Sequence, residues 1–356
     1  MLGSFISLPK VVYITLLLFV PAIFLLAQQV TPLPITDYDY TLPESNVSPI
    51  AMGAGALNLT NASDPFCAYG NPALMADNKL GSFSLSFRLT AEEDLDFYSA
   101  ISVSNTLKDK QFKYFVLNTG AVSFSYQPVA SVHISQFSED GLNSEYYDYK
   151  MDKVQVSWGG RDENYPKLAA GINLKYLSGR LVYLKEHKVG NSLIRDGFID
   201  DKAKGVSGDL GITYKMGDIV YAASFYDLLS MLWWENYDSV TLQRRAAAGL
   251  GFEGTNSHYY AGIQSKLAKK PETTYHLGYG YRWNLNSGSN SSSTENSSSF
   301  DLRVGTYSHD FYGADNINFT LGAGYYYRNF HFDFSLNSTG MKLADSDYLF
   351  SISAGI

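Results

Sequence analysis

The stretch TYHLGYGYRW, Thr274 to Trp283, decides the fold. Tyr275, Leu277, Tyr279, Tyr281 and Trp283 fall on one side of an extended chain, and His276, Gly278, Gly280 and Arg282 on the other, because successive side chains of a strand point to opposite faces. The bulky face is aromatic and the opposite face is small or polar. Phe83, Leu85, Phe87 and Leu89 alternate in the same way with Ser82, Ser84, Ser86 and Arg88, and Phe330, Phe332, Phe334 and Leu336 with His331, Asp333, Ser335 and Asn337. Tyr348, Phe350, Ile352, Ala354 and Ile356 end the chain in that period. A soluble sandwich alternates too, but its strands average about 5 to 6 residues and its outward face carries charge. Membrane-spanning strands need about 9 to 11 residues, a lipid face, a polar lumen and aromatic girdles. The 28 tyrosines and 21 phenylalanines meet that demand.

Composition narrows the rest. A chain of 356 residues that is 45% hydrophobic is no disordered polypeptide, and a net charge of -8 argues against a nucleic-acid partner. After Lys10 the run VVYITLLLFVPAIFLLA, Val11 to Ala27, is uncharged and apolar. With Pro21 inside it is short for about 30 Å of hydrocarbon, so residues 1–27 read as a secretory signal peptide. Beyond it, no uncharged apolar run reaches the ~18 residues of a membrane helix. Cys67 is the one cysteine, which excludes an internal disulfide; among small apolar residues it reads as a buried thiol.

Fourteen strands can be drawn, near 80–89, 95–105, 120–136, 146–158, 166–185, 205–216, 218–227, 240–253, 257–266, 273–284, 299–308, 316–328, 330–338 and 347–356. An even count suits a closed barrel with both termini periplasmic. Connections then alternate between short turns and long loops: KMGDI (Lys215–Ile219), EGTNSH (Glu253–His258) and YRNFH (Tyr327–His331) are tight and fall at the terminal end. Glu186–Lys204, Leu228–Val240 and Thr339–Ser346 read as loops of the opposite end. Thr106–Gly120 and Asn286–Ser299 break the rule by being long on the wrong side.

The sequence carries no enzyme motif. GLGFEG, Gly249–Gly254, matches a dinucleotide-binding pattern, but that mechanism needs a helix next and a strand follows. There is no GxSxG elbow, HExxH or P-loop, and the six histidines are scattered, so no metal site, cofactor or catalytic residue is expected; His309–Asp310 reads as a solvated loop pair. Trp233 and Trp234, in LLSMLWWENYD, read either as interface anchors or as an apolar landing patch for a ligand.

One stretch stands apart, AMGAGALNLTNASDPFCAYGNPALMAD, Ala51 to Asp77, whose glycines and prolines forbid a long regular element. Gly53, Ala54 and Gly55, then Ala62, Asp64 and Pro65, then Asn71, Pro72, Ala73 and Leu74, placed directly before the first strand, make the chain resemble the FadL-like outer-membrane proteins, a superfamily that includes PorV-type proteins and a FadL-like group in spirochaetes. It departs from them at Gly70, where an aromatic is frequent, and at Ile356, where one is usual. The resemblance implies an all-β barrel of about fourteen strands over 80–356, with residues 28–79 as a hatch plugging the lumen. Gly53, Gly55, Asp64, Pro65, Asn71, Pro72 and Ala73 would be its gating residues.

The implied function is diffusion of hydrophobic small molecules, long-chain fatty acids foremost, across a bacterial outer membrane, with no catalysis. The bilayer, a fatty acid and the barrel-assembly machinery would be the partners. Arg282 and Arg303, inward by this register, are candidates for holding a ligand carboxylate or for pairing with hatch acids such as Asp64; Trp233 and Trp234 are candidates for contacting its apolar part. A PorV-like scaffold and a surface adhesin are the alternatives.

Overall fold

The computed structural model describes residues 46–78, 81–90, 110–138, 141–267, 272–285, 298–308, 317–339 and 346–356. Fourteen antiparallel strands run β1 (Gly81–Thr90), β2 (Lys110–Thr119), β3 (Val122–Phe137), β4 (Asn143–Arg161), β5 (Leu168–Val189), β6 (Ser192–Met216) and β7 (Ile219–Trp234). They continue through β8 (Arg245–Glu253), β9 (Ser257–Lys266), β10 (Thr273–Asn284), β11 (Ser298–Ser308), β12 (Ile317–Tyr327), β13 (Phe330–Thr339) and β14 (Ser346–Gly355). Each pairs with its neighbours, and β1 pairs with β14 from Ser82↔Gly355 to Thr90↔Asp347, so the sheet closes. No helix among the described residues is long and apolar enough to cross a membrane.

Three expectations change. The second wall strand is Lys110–Thr119, inside the stretch expected to be a long connection, while 95–105 lies outside the described residues. That removes the parity conflict there, because β2 and β3 are now joined by Gly120 and Ala121 at the end that also carries Gly81 and Ile356, the near end. Second, Glu186–Lys204 is not a loop: β5 and β6 zip up to Val189↔Ser192 around a two-residue turn with Gly190 at φ 63. Third, Leu228–Trp234 is the last part of β7, and β8 begins only at Arg245. The expected signal peptide, residues 28–45, the pair His309–Asp310 and most of the Asn286–Ser299 tract lie outside the described residues.

Outward side chains form an apolar band. Leu277, Leu302, Val304, Leu321, Ile263 and Leu250 are among its exposed members. Rings gather towards the near end: Tyr259 lies 4.9 Å from Tyr279, Tyr281 4.6 Å from Trp283, and Trp283 6.1 Å from Phe300. Amphipathic rings belong where hydrocarbon meets water.

The inner faces are lined by small residues, and the N-terminal segment Asn46–Asn78 lies against them. It contains helix α1 (Pro49–Gly53), a single turn α2 (Cys67–Gly70) and the 3-10 turn η1 (Pro72–Ala76). Ser48 caps α1, its Oγ accepting from Ala51 N, and Asn71 caps η1, its Oδ1 accepting from Ala73 N, with proline at the first helical position of both. Gly159, Gly171 and Gly211 sit opposite one another on β4, β5 and β6, and a Cβ on Gly159 would come within 2.6 Å of Pro72 O. Gly278 and Gly305, opposite on β10 and β11, take the backbone of Ala54 and Gly55, and Gly53 meets Gly322 of β12. Gly55 itself has φ +87, so two demands for glycine coincide there.

Side chains of these wall glycines would therefore displace the segment. Gly171→Leu should unseat η1, and buried Cys67 reports it: wild-type folded barrel resists maleimide, whereas the variant should label at least about tenfold faster. Equal labelling would remove the glycine row from the seating of the segment.

Candidate functional site

The N-terminal segment separates two cavities. The larger, about 330 Å³, opens towards the far end, away from the chain termini. Its floor is Asn58, Asp64, Phe66 and Tyr69. Its walls carry Arg88, Lys113, Arg245 and His276. The smaller, about 30 Å³, lies on the near side beside Arg282, Asp301 and Arg303, and has room for about two waters.

The floor is held by backbone carbonyls that barrel side chains reach. Asn118 Nδ2 donates to Pro65 O at 2.9 Å, Asn173 Nδ2 to Ala68 O at 3.0 Å, and Tyr226 Oη to Gly70 O at 2.6 Å. Asn71 Nδ2 donates to Leu59 O at 3.0 Å and to Ile212 O at 3.3 Å, linking the segment to itself and to β6. His276 Nδ1 donates to Gly55 O at 2.7 Å, which places that proton, and its ring stacks on Tyr307 at 5.5 Å. Phe66 and Tyr69 both stand edge-on to Tyr114.

Asp64 ties the segment together. Its Oδ2 accepts from Ser48 Oγ at 2.6 Å and Asn58 Nδ2 at 3.0 Å, and its Oδ1 from Phe66 N at 2.9 Å. Among the described residues no arginine joins it: the expected pairing with Arg282 or Arg303 is replaced by these three neutral donors. Burial pushes the carboxyl up to about 6 from 3.8, with hydrogen bonds pulling the other way. Burial likewise raises the Cys67 thiol, which lies 3.9 Å from Met75 Sδ and is no reactive centre.

Two groups of charged wall residues are closed. Arg303 Nη2 reaches Asp333 Oδ1 at 2.5 Å and Asp301 Oδ2 at 3.4 Å, Arg282 Nη2 reaches Asp301 Oδ2 at 2.9 Å, and Tyr326 Oη accepts from Arg303 at 3.0 Å. Both arginines thus face the lumen as expected, on the near side of the segment and away from the larger cavity. In the second group Lys175 Nζ bridges Asp209 at 2.6 Å and Asp227 at 2.9 Å, and Asn173 Nδ2 adds a bond to Asp209. Asp227 sits at a bulge in β7 with φ 53, and its N–H donates to Asp209.

Lys113 differs from all of these. β2 is out of step with β1 between Ser86↔Tyr114 and Phe87↔Phe112, so Lys113 is the extra residue of a bulge. Such bulges re-aim a side chain. Lys113 and Tyr114 both turn inward, and Lys113 is 7% exposed in the cavity wall beside the Arg88–Asp347 ion pair, with no ion pair of its own among the described residues. Sequence reading missed it because Thr106–Gly120 was expected to be a connection, and even in a regular strand alternation would place Lys113 and Tyr114 on opposite faces.

The two tryptophans part company. Trp234 is buried in an inward cluster with Tyr149, Leu181 and Ile199, whereas Trp233 is 41% exposed on the outer face.

Comparison with solved structures agrees with this architecture. TbuX of Ralstonia pickettii, a toluene transporter, is similar at 14% identity and a TM-score of 0.53, over 87% of this chain and 98% of that one. TodX of P. putida, also a toluene transporter, is similar at 12% identity and a TM-score of 0.51, over 89% and 99%. The fold is that of these two transporters, a closed fourteen-stranded antiparallel barrel. A Pseudomonas aeruginosa FadL homologue matches at 10% identity and a TM-score of 0.49, over 88% and 98%. No family model and no curated protein matches the chain.

The barrel's N-terminal segment has a built-in titration. Asp64 binds its proton more tightly when packed, so packing is most stable below about pH 4 and weakens as pH rises towards 6. Asp64→Asn should flatten that slope in hydrogen exchange of residues 46–78, corrected for intrinsic rates. A slope that survives the substitution places its origin elsewhere.

Proposed function

We propose that this barrel passes hydrophobic small molecules across the outer membrane by diffusion, with long-chain fatty acids as cargo and without catalysis. The observation that carries this reading is the larger cavity. It combines apolar burial against Phe66, Met52 and Leu349 with one inward amine, Lys113, that makes no ion pair among the described residues. An acyl chain gains about 25 cal/mol per Å² buried there, and a carboxylate can meet the amine. Arg282 and Arg303 would be structural, since Arg282 already pairs with Asp301 and Arg303 with Asp301 and Asp333.

In this reading the segment from Asn46 to Asn78 is the hatch, and cargo leaves the cavity either past it or sideways. Passage past it requires Gly53, Gly55, Pro65, Asn71, Pro72 and Ala73 to shift from their wall contacts, and Asp64, bonded within the segment, to move with them. A sideways route is supported by the short ladder between β2 and β3, four pairs from Phe115↔Tyr126 to Asn118↔Ser123, while β3 stays paired with β4 out to Phe137↔Ser144. Lys113 lies next to that gap. The tall β5–β6 hairpin favours a second reading, a PorV-like scaffold or adhesin that engages another protein; an empty lumen in the purified folded barrel would support it.

Lys113→Met should weaken binding of oleate to the folded barrel at least about tenfold and leave binding of the matching long-chain alcohol unchanged, as measured by fluorescent-ligand displacement. Equal loss for both ligands, or for neither, removes the amine from cargo recognition.

A further inference from the structure

The outer face of β4 to β7 changes character over a single row of residues. Val154, Tyr176, Val206 and Met231 lie side by side across the four strands, an entirely apolar row. The next row towards the far end is Asp152, Ser178, Lys204 and Trp233. The row after that is Lys150, Arg180 and Lys202, three cations directly opposite one another, with the exposed Glu235 beside Lys202 at its end. Like charges in that arrangement destabilise a sheet, so the row needs a compensating partner.

Protein carboxylates supply only part of it. Arg180 is held by Asp200 through two bonds of 2.7 Å, and Lys150 has Asp148 at 3.8 Å. Asp152 accepts from Tyr126 Oη at 2.8 Å. Lys202 and Lys204 are exposed and make no ion pair among the described residues. They are two apart on one face, about 7 Å along the strand, so both amines can reach one phosphate group. Trp233 stands opposite Lys204 with its indole outward, where a ring marks the edge of the hydrocarbon.

We infer that this strip is a docking site for the phosphate-bearing headgroup of a membrane lipid, in the leaflet at the far end of the barrel. The acyl chains would lie along Tyr176, Val206 and Met231, and the phosphate would meet Lys202 and Lys204. The site is independent of what the lumen carries.

The full-length barrel in detergent, titrated with bisphosphorylated lipid A and followed by native mass spectrometry, tests this. The wild type should retain bisphosphorylated lipid A in preference to the dephosphorylated form, and less of it as salt rises. Lys202→Gln with Lys204→Gln should weaken retention by about thirtyfold, on the usual worth of two surface cations at an anionic membrane. Heat-modifiable migration of the double variant shows that it folds. Equal retention of both lipid forms by the wild type, or wild-type retention by the folded variant, would overturn the proposal.

Discussion

Hydrocarbon offers the backbone no hydrogen bonds, and everything else in this molecule follows from satisfying that one condition. Only a sheet with no edge can pair every peptide group in lipid. The pairing of β1 with β14 removes the edge. Closure then fixes two faces for each strand, one for lipid and one for the lumen, and it encloses a space that has to be occupied. Rows of glycine, Gly159–Gly171–Gly211 on one side and Gly278–Gly305 on the other, let an irregular backbone lie directly on the wall. Carbonyls that have no helical partner in so irregular a segment are met by Asn118, Asn173 and Tyr226 from the strands. The segment's stability therefore belongs to the barrel more than to its own short helices.

Charge inside the lumen obeys the same economy of pairing. A buried ion is tolerated when its partners are close and its remaining donors are met. Arg282 and Arg303 share Asp301 and Asp333 on the near side, and Lys175 answers Asp209 and Asp227 in the wall beside the segment. Both groups are held by strand residues and leave little to offer a ligand. Lys113 gains its inward position from an interrupted ladder instead of from regular alternation, and it faces a cavity. A feature that costs sheet regularity and leaves a cation half answered is the kind of local conflict that function explains better than stability does.

Much of this was legible in the chain, and the failures have physical causes. Alternation in β1, β10, β13 and β14 was readable because one face meets lipid and the other meets serine, glycine or a hydrogen-bonded polar group. β2 was missed for the opposite reason. Phe115 and Leu117 face lipid while Tyr114 and Val116 pack against Phe66 and Val47, so both faces are apolar, and the bulge at Lys113 breaks the period as well. Arg282 and Arg303 were rightly placed on the inner face, but no spacing rule reveals that Asp301 and Asp333 already hold them. Asp64 was expected to meet an arginine; its real partners, Ser48 and Asn58, are uncharged residues of its own segment. Trp233 and Trp234 read as a pair in sequence, and strand geometry sends adjacent side chains to opposite faces.

Strand length carries the last step. β6 has 25 residues, about 80 Å of extended chain, far more than a bilayer requires. Below the row of Asp152, Ser178 and Lys204 its outward residues are apolar, as in Ile212, Leu210 and Val206. Above that row the pattern inverts: Lys202 and Asp200 point outward, while Ala203 and Ile199 join Leu181, Tyr149 and Trp234 in an inward core. The segment between β7 and β8 covers that core, with Asn236 bonded to Asp201 and Leu242 N to Ser230 Oγ. One continuous hairpin is thus a membrane strand in its first part and a water-facing sheet in its second. That inversion explains why membrane periodicity truncates β6, where the solvent on the outer face changes; in β7 the period is interrupted earlier, by the bulge at Asp227.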